Sequence, residues 1–249
     1  MRMRKRRNLV PRMERCAELL VAEPETMKGN WRSLYPDCER LLLELGCGKG
    51  RFTAETARLE PENMLIAVER VPAAMILAME RVKTAGLENV RFIDADAKLL
   101  REMFAPDEVD RIYINFCDPW PKSRDARLRL TAPSFLRVYG DLLPVGGQIH
   151  FKTDNKPLFD WSLEQFGAEK WTVKECTNDL HANGQVGVMT DYEAKFTAAG
   201  MKINRLVAEK TEETLCSAAG PVPRLKNASL VDARGYLESI AAFAAREEK

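Results

Sequence analysis

Short apolar runs and helical patterns alternate along most of the chain. Apolar runs bounded by polar or turn residues predict strands over 40–45, 64–68, 90–93, 110–116, 148–152 and 171–175. Helical patterns and capping signals predict helices over 51–59, 72–85 and 133–142, and a further helix after Asn155 that runs through Phe166. This alternation predicts a mostly parallel sheet with helices on both faces.

The remaining pattern divides the chain into three parts. Residues 177–199 mix turn residues with a helical-looking stretch over 192–199, whereas residues 201–208 alternate as an antiparallel last strand does. Gly220 to Pro223 reads as a linker ahead of a short amphipathic helix near 231–245. We therefore predict a basic N-terminal arm and helix (1–30), a main domain (31–210) and a C-terminal extension (211–249).

Length and composition fit one large α/β domain with short extensions. The 249 residues are 45% hydrophobic and 30% charged, as is typical of globular proteins. No run of about eighteen apolar residues occurs, so we expect no membrane span. The six cysteines are scattered, which indicates reduced thiols and a cytoplasmic location. They and the two histidines lack metal-ligand spacing, so we predict no metal site.

Positive charge is concentrated at the start of the chain, although the net charge is only +1. Seven cations face the single acid Glu14 within the first fifteen residues: Arg2, Arg4, Lys5, Arg6, Arg7, Arg12 and Arg15. Such a cluster is the electrostatic footprint of an arm that binds phosphates, and equally of a solubilising terminus. A transit peptide is a further alternative, but the serines that such peptides favour are missing.

Three glycines lie where the first strand turns into a helix. Gly46, Gly48 and Gly50 permit a tight turn and a close approach of a cofactor to the backbone. A dinucleotide fingerprint needs its third glycine at position 51, which is Arg51. We therefore expect a ligand without a pyrophosphate.

Acidic residues follow three successive predicted strands. Glu44 precedes the glycines, where a carboxylate suits an ammonium or sulfonium group. Glu69 closes the second strand, where an acid can accept from both ribose hydroxyls, and Asp96 follows the third strand, in reach of an adenine amino group. Each acid alone could be a solvated loop residue, but together with the glycines they predict a cofactor site.

The loop after the fourth strand combines prolines, an aromatic side chain and cations. Asp118-Pro119-Trp120-Pro121-Lys122 is stiffened by its prolines, and Trp120 offers a face on which a base can stack. Lys122 and the arginines that follow at 124, 127 and 129 form a basic stretch suited to phosphates. The alternative interpretation makes Trp120 a core anchor and the cations a solvated start of a helix.

These motifs resemble those of known methyltransferases. Leu43 to Gly50 is similar to the first motif of class I S-adenosylmethionine-dependent methyltransferases. Asn115 to Lys122 resembles the hallmark of bacterial tRNA (guanine-N7-)-methyltransferases, and Phe151 to Asn155 and Thr190 to Phe196 resemble two further segments of that family. The similarity spans roughly residues 1–210. It implies a Rossmann-like, mostly parallel seven-stranded sheet with an antiparallel last strand.

The resemblance also implies the cofactor, the partner and the site residues. S-adenosyl-L-methionine would be the cofactor and tRNA the substrate. Its cofactor residues map onto Glu44, Gly46, Gly48, Gly50, Glu69, Asp96 and Asp118, and its substrate residues onto Lys122, Asp154, Thr190, Asp191, Tyr192 and Glu193. Asp118 would also be catalytic. Two features depart from the family: Cys117 replaces a common serine, and Lys122-Ser123-Arg124-Asp125 replaces Lys-Lys-Arg-His.

Other functions remain open at this point. The Asp118 loop sits where Asp-Pro-Pro-Tyr sits in enzymes that methylate exocyclic amines. A non-catalytic RNA-binding protein and a nicotinamide-dependent oxidoreductase are weaker alternatives, because the strand-end acids are present and the glycine spacing is wrong for a dinucleotide. The pattern does not choose between a monomer and a homodimer.

Overall fold

The computed structural model describes residues 8–217, which form a single sheet flanked by helices. The strands are β1 (Leu41–Leu45), β2 (Met64–Val68), β3 (Val90–Ile93), β4 (Arg111–Asn115), β5 (Gln148–Thr153), β6 (Thr172–Thr177) and β7 (Asn204–Glu209). The helices are α1 (Leu9–Glu14), α2 (Arg51–Leu59), α3 (Pro72–Thr84), α4 (Leu100–Met103), α5 (Pro133–Leu142), α6 (Lys156–Ala168) and α7 (Asp191–Thr197). Short 3₁₀ helices occupy Ala17–Leu19, Pro24–Met27, Trp31–Leu34, Ala97–Leu99 and Ser123–Leu128.

The sheet has the order β3-β2-β1-β4-β5-β7-β6. Strands β1 to β5 pair in parallel, whereas β7 runs antiparallel between β5 and β6. The predicted Rossmann-like fold with an antiparallel last strand is therefore confirmed. Because the strand order reverses between β1 and β4, the carboxyl ends of these strands open a crevice in which open α/β sheets bind ligands.

Both faces of the sheet are buried. Leu41, Leu43 and Leu45 join a core beneath α4, α5 and α6, whereas Leu42 joins a second core beneath α2 and α3. This explains why the strands read as near-continuous apolar runs, as in sheets that are covered on both sides. It also makes Glu44 an exception, since it is the single charged residue within β1.

The N-terminal segment packs against the domain. Arg12 on α1 donates to both carboxylate oxygens of Glu80 on α3, with its Nε at 2.7 Å. The sequence interpretation counted Arg12 among the phosphate-binding cations, but this contact assigns its guanidinium to packing. Residues 1–7, the linker at Gly220 to Pro223 and the helix predicted near 231–245 lie outside the described residues. Within 8–217, no helix is long and apolar enough to cross a membrane.

Candidate active site

The glycine turn between β1 and α2 requires backbone conformations that other residues rarely adopt. Gly46, Gly48 and Gly50 have φ angles of 80°, 57° and 74°. A β-carbon on Gly50 would lie 2.4 Å from the Cβ of Ala78, so this glycine lets α2 approach α3. At Gly46 and Gly48 a β-carbon would meet only open space, because both residues face a cavity.

This cavity of about 650 Å³ lies at the carboxyl ends of β1, β2, β3 and β4. Its lining brings together five of the predicted site residues, namely Gly46, Gly48, Glu69, Asp96 and Asp118. The volume is in the range of small-molecule sites, and the lining mixes apolar walls with a few polar groups. The motif residues therefore converge on one concave site.

Glu69 organises the cavity wall through both of its carboxylate oxygens. Oε2 accepts from the backbone N–H of Gly48 at 3.0 Å, and Oε1 accepts from that of Val71 at 2.9 Å. Burial raises the pKa of this carboxyl, while the bonds from Gly48 and Val71 oppose the rise. Each oxygen keeps a second lone pair, so Glu69 can also accept from the hydroxyls of a bound ribose.

Asp96 and Asp118 line other walls of the same cavity. Asp96 caps the 3₁₀ helix Ala97–Leu99 by accepting from the backbone N–H of Lys98 at 3.0 Å. Asp118 lies at the mouth with 72% of its side chain exposed, and its carboxylate is 3.7 Å from the guanidinium of Arg70. An exposed ion pair of this length contributes little stability, so Asp118 is free to meet an incoming ligand.

Glu44 lies below the cavity and not on its wall. Its side chain is 1% exposed, and its carboxylate accepts from the Thr53 hydroxyl of α2 at 2.6 Å. Burial raises the pKa of Glu44 to about 7, although the Thr53 bond, the nearby amide of Asn115 and the charge of Lys152 oppose this rise. In this arrangement Glu44 supports the strand that carries the glycine turn and is not among the residues that line the cavity.

Asn115 is a cavity residue that the sequence interpretation treated only as part of a motif. It ends β4 and is 8% exposed, and neither atom of its side-chain amide makes a hydrogen bond of good geometry among the described residues, although the amide is close enough to Glu44 to favour its ionised form. A buried unpaired amide is costly, and a ligand that offers both donors and acceptors would satisfy it. The signal in the sequence was its place at the end of a strand, directly before the reaction loop.

The loop from Phe116 to Trp120 is held in a strained conformation. Both of these residues have positive φ angles, 53° and 41°. Arg129 donates from Nε to the carbonyl of Pro119 at 3.0 Å and from Nη2 to that of Trp120 at 3.0 Å. Arg129, which the sequence interpretation grouped with cations suited to phosphates, therefore binds carbonyl groups of the loop instead. The other cations of the stretch, Lys122, Arg124 and Arg127, are exposed.

The late motif meets this loop from the other side. The hydroxyl of Tyr192 donates to Asp154 at 2.8 Å, and its ring packs 5.1 Å from that of Phe116. Partial burial and the bond to Asp154 raise the pKa of Tyr192 to about 12. Thr190 caps α7, and Asp191 pairs with Arg81 at 3.3 Å. Of the predicted substrate residues, Tyr192 therefore contacts the reaction loop through Phe116 and holds Asp154, while Thr190 and Asp191 directly precede it in the chain.

Glu193 differs from the other residues of the late motif, because its side chain has no exposed surface. Its carboxylate contacts Lys152 at 2.6 Å and His181 at 3.0 Å. Neither carboxylate oxygen of Glu193 is exposed, so this side chain has no atom with which to contact a substrate directly. Across residues 8–217, no group of three or more His, Cys, Asp or Glu side chains is arranged to hold a metal ion.

Comparisons with known proteins agree with this geometry. Residues 39–206 match a family model described as a putative methyltransferase. A curated tRNA (guanine-N(7)-)-methyltransferase of Streptococcus suis is 39% identical over 84% of this chain and 99% of its own length. The protein of the same name from Exiguobacterium sibiricum is 40% identical over 85% of this chain and its full length. A third, from Brevibacillus brevis, is 42% identical over 76% of this chain and 89% of its own.

Solved structures show the same architecture at lower identity. The 16S rRNA methyltransferase KamB superposes with a TM-score of 0.56 at 14% identity, over 74% of this chain and 93% of its own. An antibiotic-related methyltransferase superposes with a TM-score of 0.54 at 18% identity, over 73% and 92% of the two chains. At these identities the likeness concerns the fold alone.

Proposed function

The chain belongs to the tRNA (guanine-N(7)-)-methyltransferase family, and we propose that it transfers a methyl group from S-adenosylmethionine to N7 of a guanine in the variable loop of tRNA. One observation carries the proposal. The cavity that suits the cofactor is lined by Phe116, Asp118 and Trp120 of the reaction loop, and the ring of Phe116 packs 5.1 Å from that of Tyr192 in the late motif. This activity belongs to the cytoplasm, where tRNA is modified.

The cavity residues fit the chemical groups of S-adenosylmethionine. Glu69 would accept from the ribose hydroxyls and Asp96 from the adenine amino group, while Gly46 and Gly48 leave room for close approach to the backbone. The buried amide of Asn115, on the cavity wall, would meet the amino-acid end of the cofactor. When bound, the cofactor supplies an electrophilic methyl group on a sulfonium, which a lone pair can attack.

In this reaction the protein has to align the base with the methyl group and stabilise the developing positive charge, and it need not transfer a proton. N7 of guanine carries an in-plane lone pair, so no general base is needed to activate it. Asp118, together with Asp154 after the neighbouring strand β5, would accept from the N1 and N2 donors of guanine and hold the base against the methyl group. A carboxylate near the base also favours the positive charge that develops there. Trp120 would stack on the base, which has to leave its neighbours in the RNA to enter.

Exposed cations near the mouth of the cavity would bind the RNA backbone. Lys122, Arg124 and Arg127 follow the reaction loop, and the basic arm at residues 1–7 would add further phosphate contacts. Thr190, Asp191 and Tyr192 would contact the nucleotide from the opposite side, and Glu193 would act by holding them. The departures at Ser123 and Asp125 reduce the positive charge of this surface relative to the family pattern.

The proposal is tested by mapping the transferred methyl group. The purified chain is incubated with an unmodified tRNA transcript and methyl-labelled S-adenosylmethionine, and the RNA is analysed as nucleosides. We expect label in 7-methylguanosine, and none in a transcript whose variable-loop guanine is replaced by adenine. Label in N6-methyladenine would reassign the chain to the amino-group methyltransferases. Absence of label, with the cofactor bound, would overturn the substrate assignment.

A further inference from the structure

Beneath the segment that faces the substrate lies a buried polar cluster formed by Lys152, His181 and Glu193. Lys152 Nζ is 2.6 Å from Glu193 Oε2, and His181 Nε2 is 3.0 Å from Glu193 Oε1. All three side chains are almost entirely shielded from solvent. The cluster joins β5, α7 and the connection between β6 and α7 at one point.

The connection needs such an anchor, because residues 178–190, all described, contain no helix or strand. Lys152 Nζ donates to the carbonyl of Val188 at 2.9 Å, and the backbone N–H of Val186 donates to His181 Nδ1 at 3.2 Å. Since Nδ1 accepts a hydrogen bond, Nε2 carries the ring hydrogen and donates to Glu193. The cluster therefore holds the connection at two places just before α7.

Helix α7 depends on the same carboxylate. Glu193 Oε2 accepts from the backbone N–H of Thr190 at 3.2 Å, and the Thr190 hydroxyl accepts from the N–H of Glu193 at 2.9 Å. This capping box opens a helix of only seven residues, which is too short to be stable by itself. The position of its first turn is thus set by what Glu193 is bound to.

Lys152 also links this cluster to the cavity. It pairs in register with Asn115 across β4 and β5, and its ammonium lies 5.3 Å from the ring centre of Phe52 on α2. Its charge favours the ionised form of Glu44 on β1. A buried polar row therefore runs from under the glycine turn to under α7.

We propose that Lys152 and His181 are positioning residues of the methyltransferase, because they fix Glu193 and so hold Thr190 and Tyr192 opposite the Asp118 loop. This inference rests on the proposed function. A buried ion pair adds little net stability compared with apolar packing. Removing one partner is nevertheless costly, because it leaves the other charge buried and uncompensated. Lys152 and Glu193 are therefore held in contact with each other. Neither residue touches the base, and their effect is on the KM for tRNA.

The two histidines of the chain allow a matched test. His181→Gln keeps a donor for Glu193 and an acceptor for Val186, whereas His181→Leu removes both. His150→Gln changes a half-buried histidine whose ring bonds to Gln148 and packs edge-on against Tyr113. For each variant, the KM for tRNA and the kcat are measured with the full chain, together with S-adenosylhomocysteine affinity by calorimetry and the melting temperature.

We expect His181→Leu to raise the KM for tRNA by about ten- to a hundredfold, since small misplacements of binding groups have effects of this size. Affinity for S-adenosylhomocysteine should stay within about twofold. His181→Gln and His150→Gln should both resemble the wild type. If His181→Leu does not fold, Glu193→Gln, which keeps the volume of the side chain, should show the same rise in KM.

Two results would overturn the inference. One is a folded His181→Leu or Glu193→Gln variant with an unchanged KM for tRNA. The other is an equal loss in His181→Gln and His181→Leu, which would show that the hydrogen bonds of the imidazole do not matter. Either result leaves the proposed function intact as long as the wild-type chain forms 7-methylguanosine. Failure of the wild type to do so would instead refute the function itself.

Discussion

Arg129 holds Trp120 by its backbone: Nη2 donates to the Trp120 carbonyl at 3.0 Å. The same guanidinium lies 4.3 Å from the ring centre of Trp161 on α6, so it is engaged within the protein through one face as well as through its N–H groups. Because Trp120 has a φ of 41°, its conformation needs such support. A cation that the sequence grouped with phosphate ligands thus shapes the reaction loop.

Replacing Arg129 by lysine should therefore impair turnover more than RNA binding. Lysine cannot make the paired bonds to Pro119 and Trp120, so we expect kcat to fall by about tenfold or more, with little change in the salt dependence of tRNA affinity. Arg127→Ala, an exposed arginine on the 3₁₀ helix that ends just before Arg129, is the matched control. It should weaken tRNA binding and reduce the slope of log affinity against log salt by about one, with kcat preserved. The reverse pattern would return Arg129 to the phosphate-binding surface.

The regular elements were predictable where local patterns decide them. Strands β2 and β3 and helix α5 lie where the apolar runs and the proline at the first turn placed them. Within 177–199 the helical stretch predicted over 192–199 is found as α7. The rest of this stretch was not predictable, because its conformation is set by the buried contacts of Glu193 with Lys152 and His181. Such contacts leave no periodic trace in the sequence.

The residues of the site likewise divide into those that the sequence could place and those that it could not. Strand ends in a parallel sheet share one edge, so Glu69, Asp96 and Asp118 could be placed together from the sequence. Alternation along a strand does not tell whether a side chain reaches the cavity or lies below it, and Glu44 lies below. The role of Arg129 was hidden for a related reason, since a cation in a basic stretch looks the same whether it binds phosphate or carbonyls.

Asp118→Ala should remove turnover and leave the fold intact. Its side chain is 72% exposed and its ion pair with Arg70 is long, so the melting temperature should not change. Loss of a group that orients the base and stabilises its charge should lower kcat by about a hundredfold or more. Asp125→Ala removes an acid from the same loop region without touching the cavity and should retain activity. Near-normal methylation by Asp118→Ala would exclude this residue from catalysis.

The glycine turn allows stability and cofactor binding to be separated. At Gly50, alanine meets both a left-handed φ of 74° and a clash with Ala78, so we expect a loss of about 2–4 kcal/mol in the free energy of unfolding. At Gly48 only the conformational cost of about 1 kcal/mol applies, because the new methyl group points into open space. That space is the cavity, so Gly48→Ala should bind S-adenosylhomocysteine more weakly. Denaturant titration and calorimetry measure the two effects, and equal destabilisation would contradict this assignment.

Glu44→Gln should stabilise the protein in a pH-dependent manner. The carboxyl of Glu44 has a pKa of about 7 when folded, raised by burial from 4.5. Between these two values the folded state keeps a proton that the unfolded chain releases, so the contribution of Glu44 to stability falls as pH rises. The fall is complete above pH 7 and amounts to at most about 3 kcal/mol. Below about pH 4.5 both states are protonated and the contribution no longer changes.

Glutamine keeps the bond from Thr53 but does not titrate, so the variant lacks this dependence. The difference in unfolding free energy, variant minus wild type, should therefore grow from pH 4.5 to 7 and then level off, as measured by denaturant titration at a series of pH values. A difference that stays constant over this range would show that Glu44 is not held in a desolvated site. The hydrogen bond from Thr53 and the charge of Lys152 offset part of the cost of ionising Glu44. Glu44 thereby forms the base of the polar row that supports both halves of the active site.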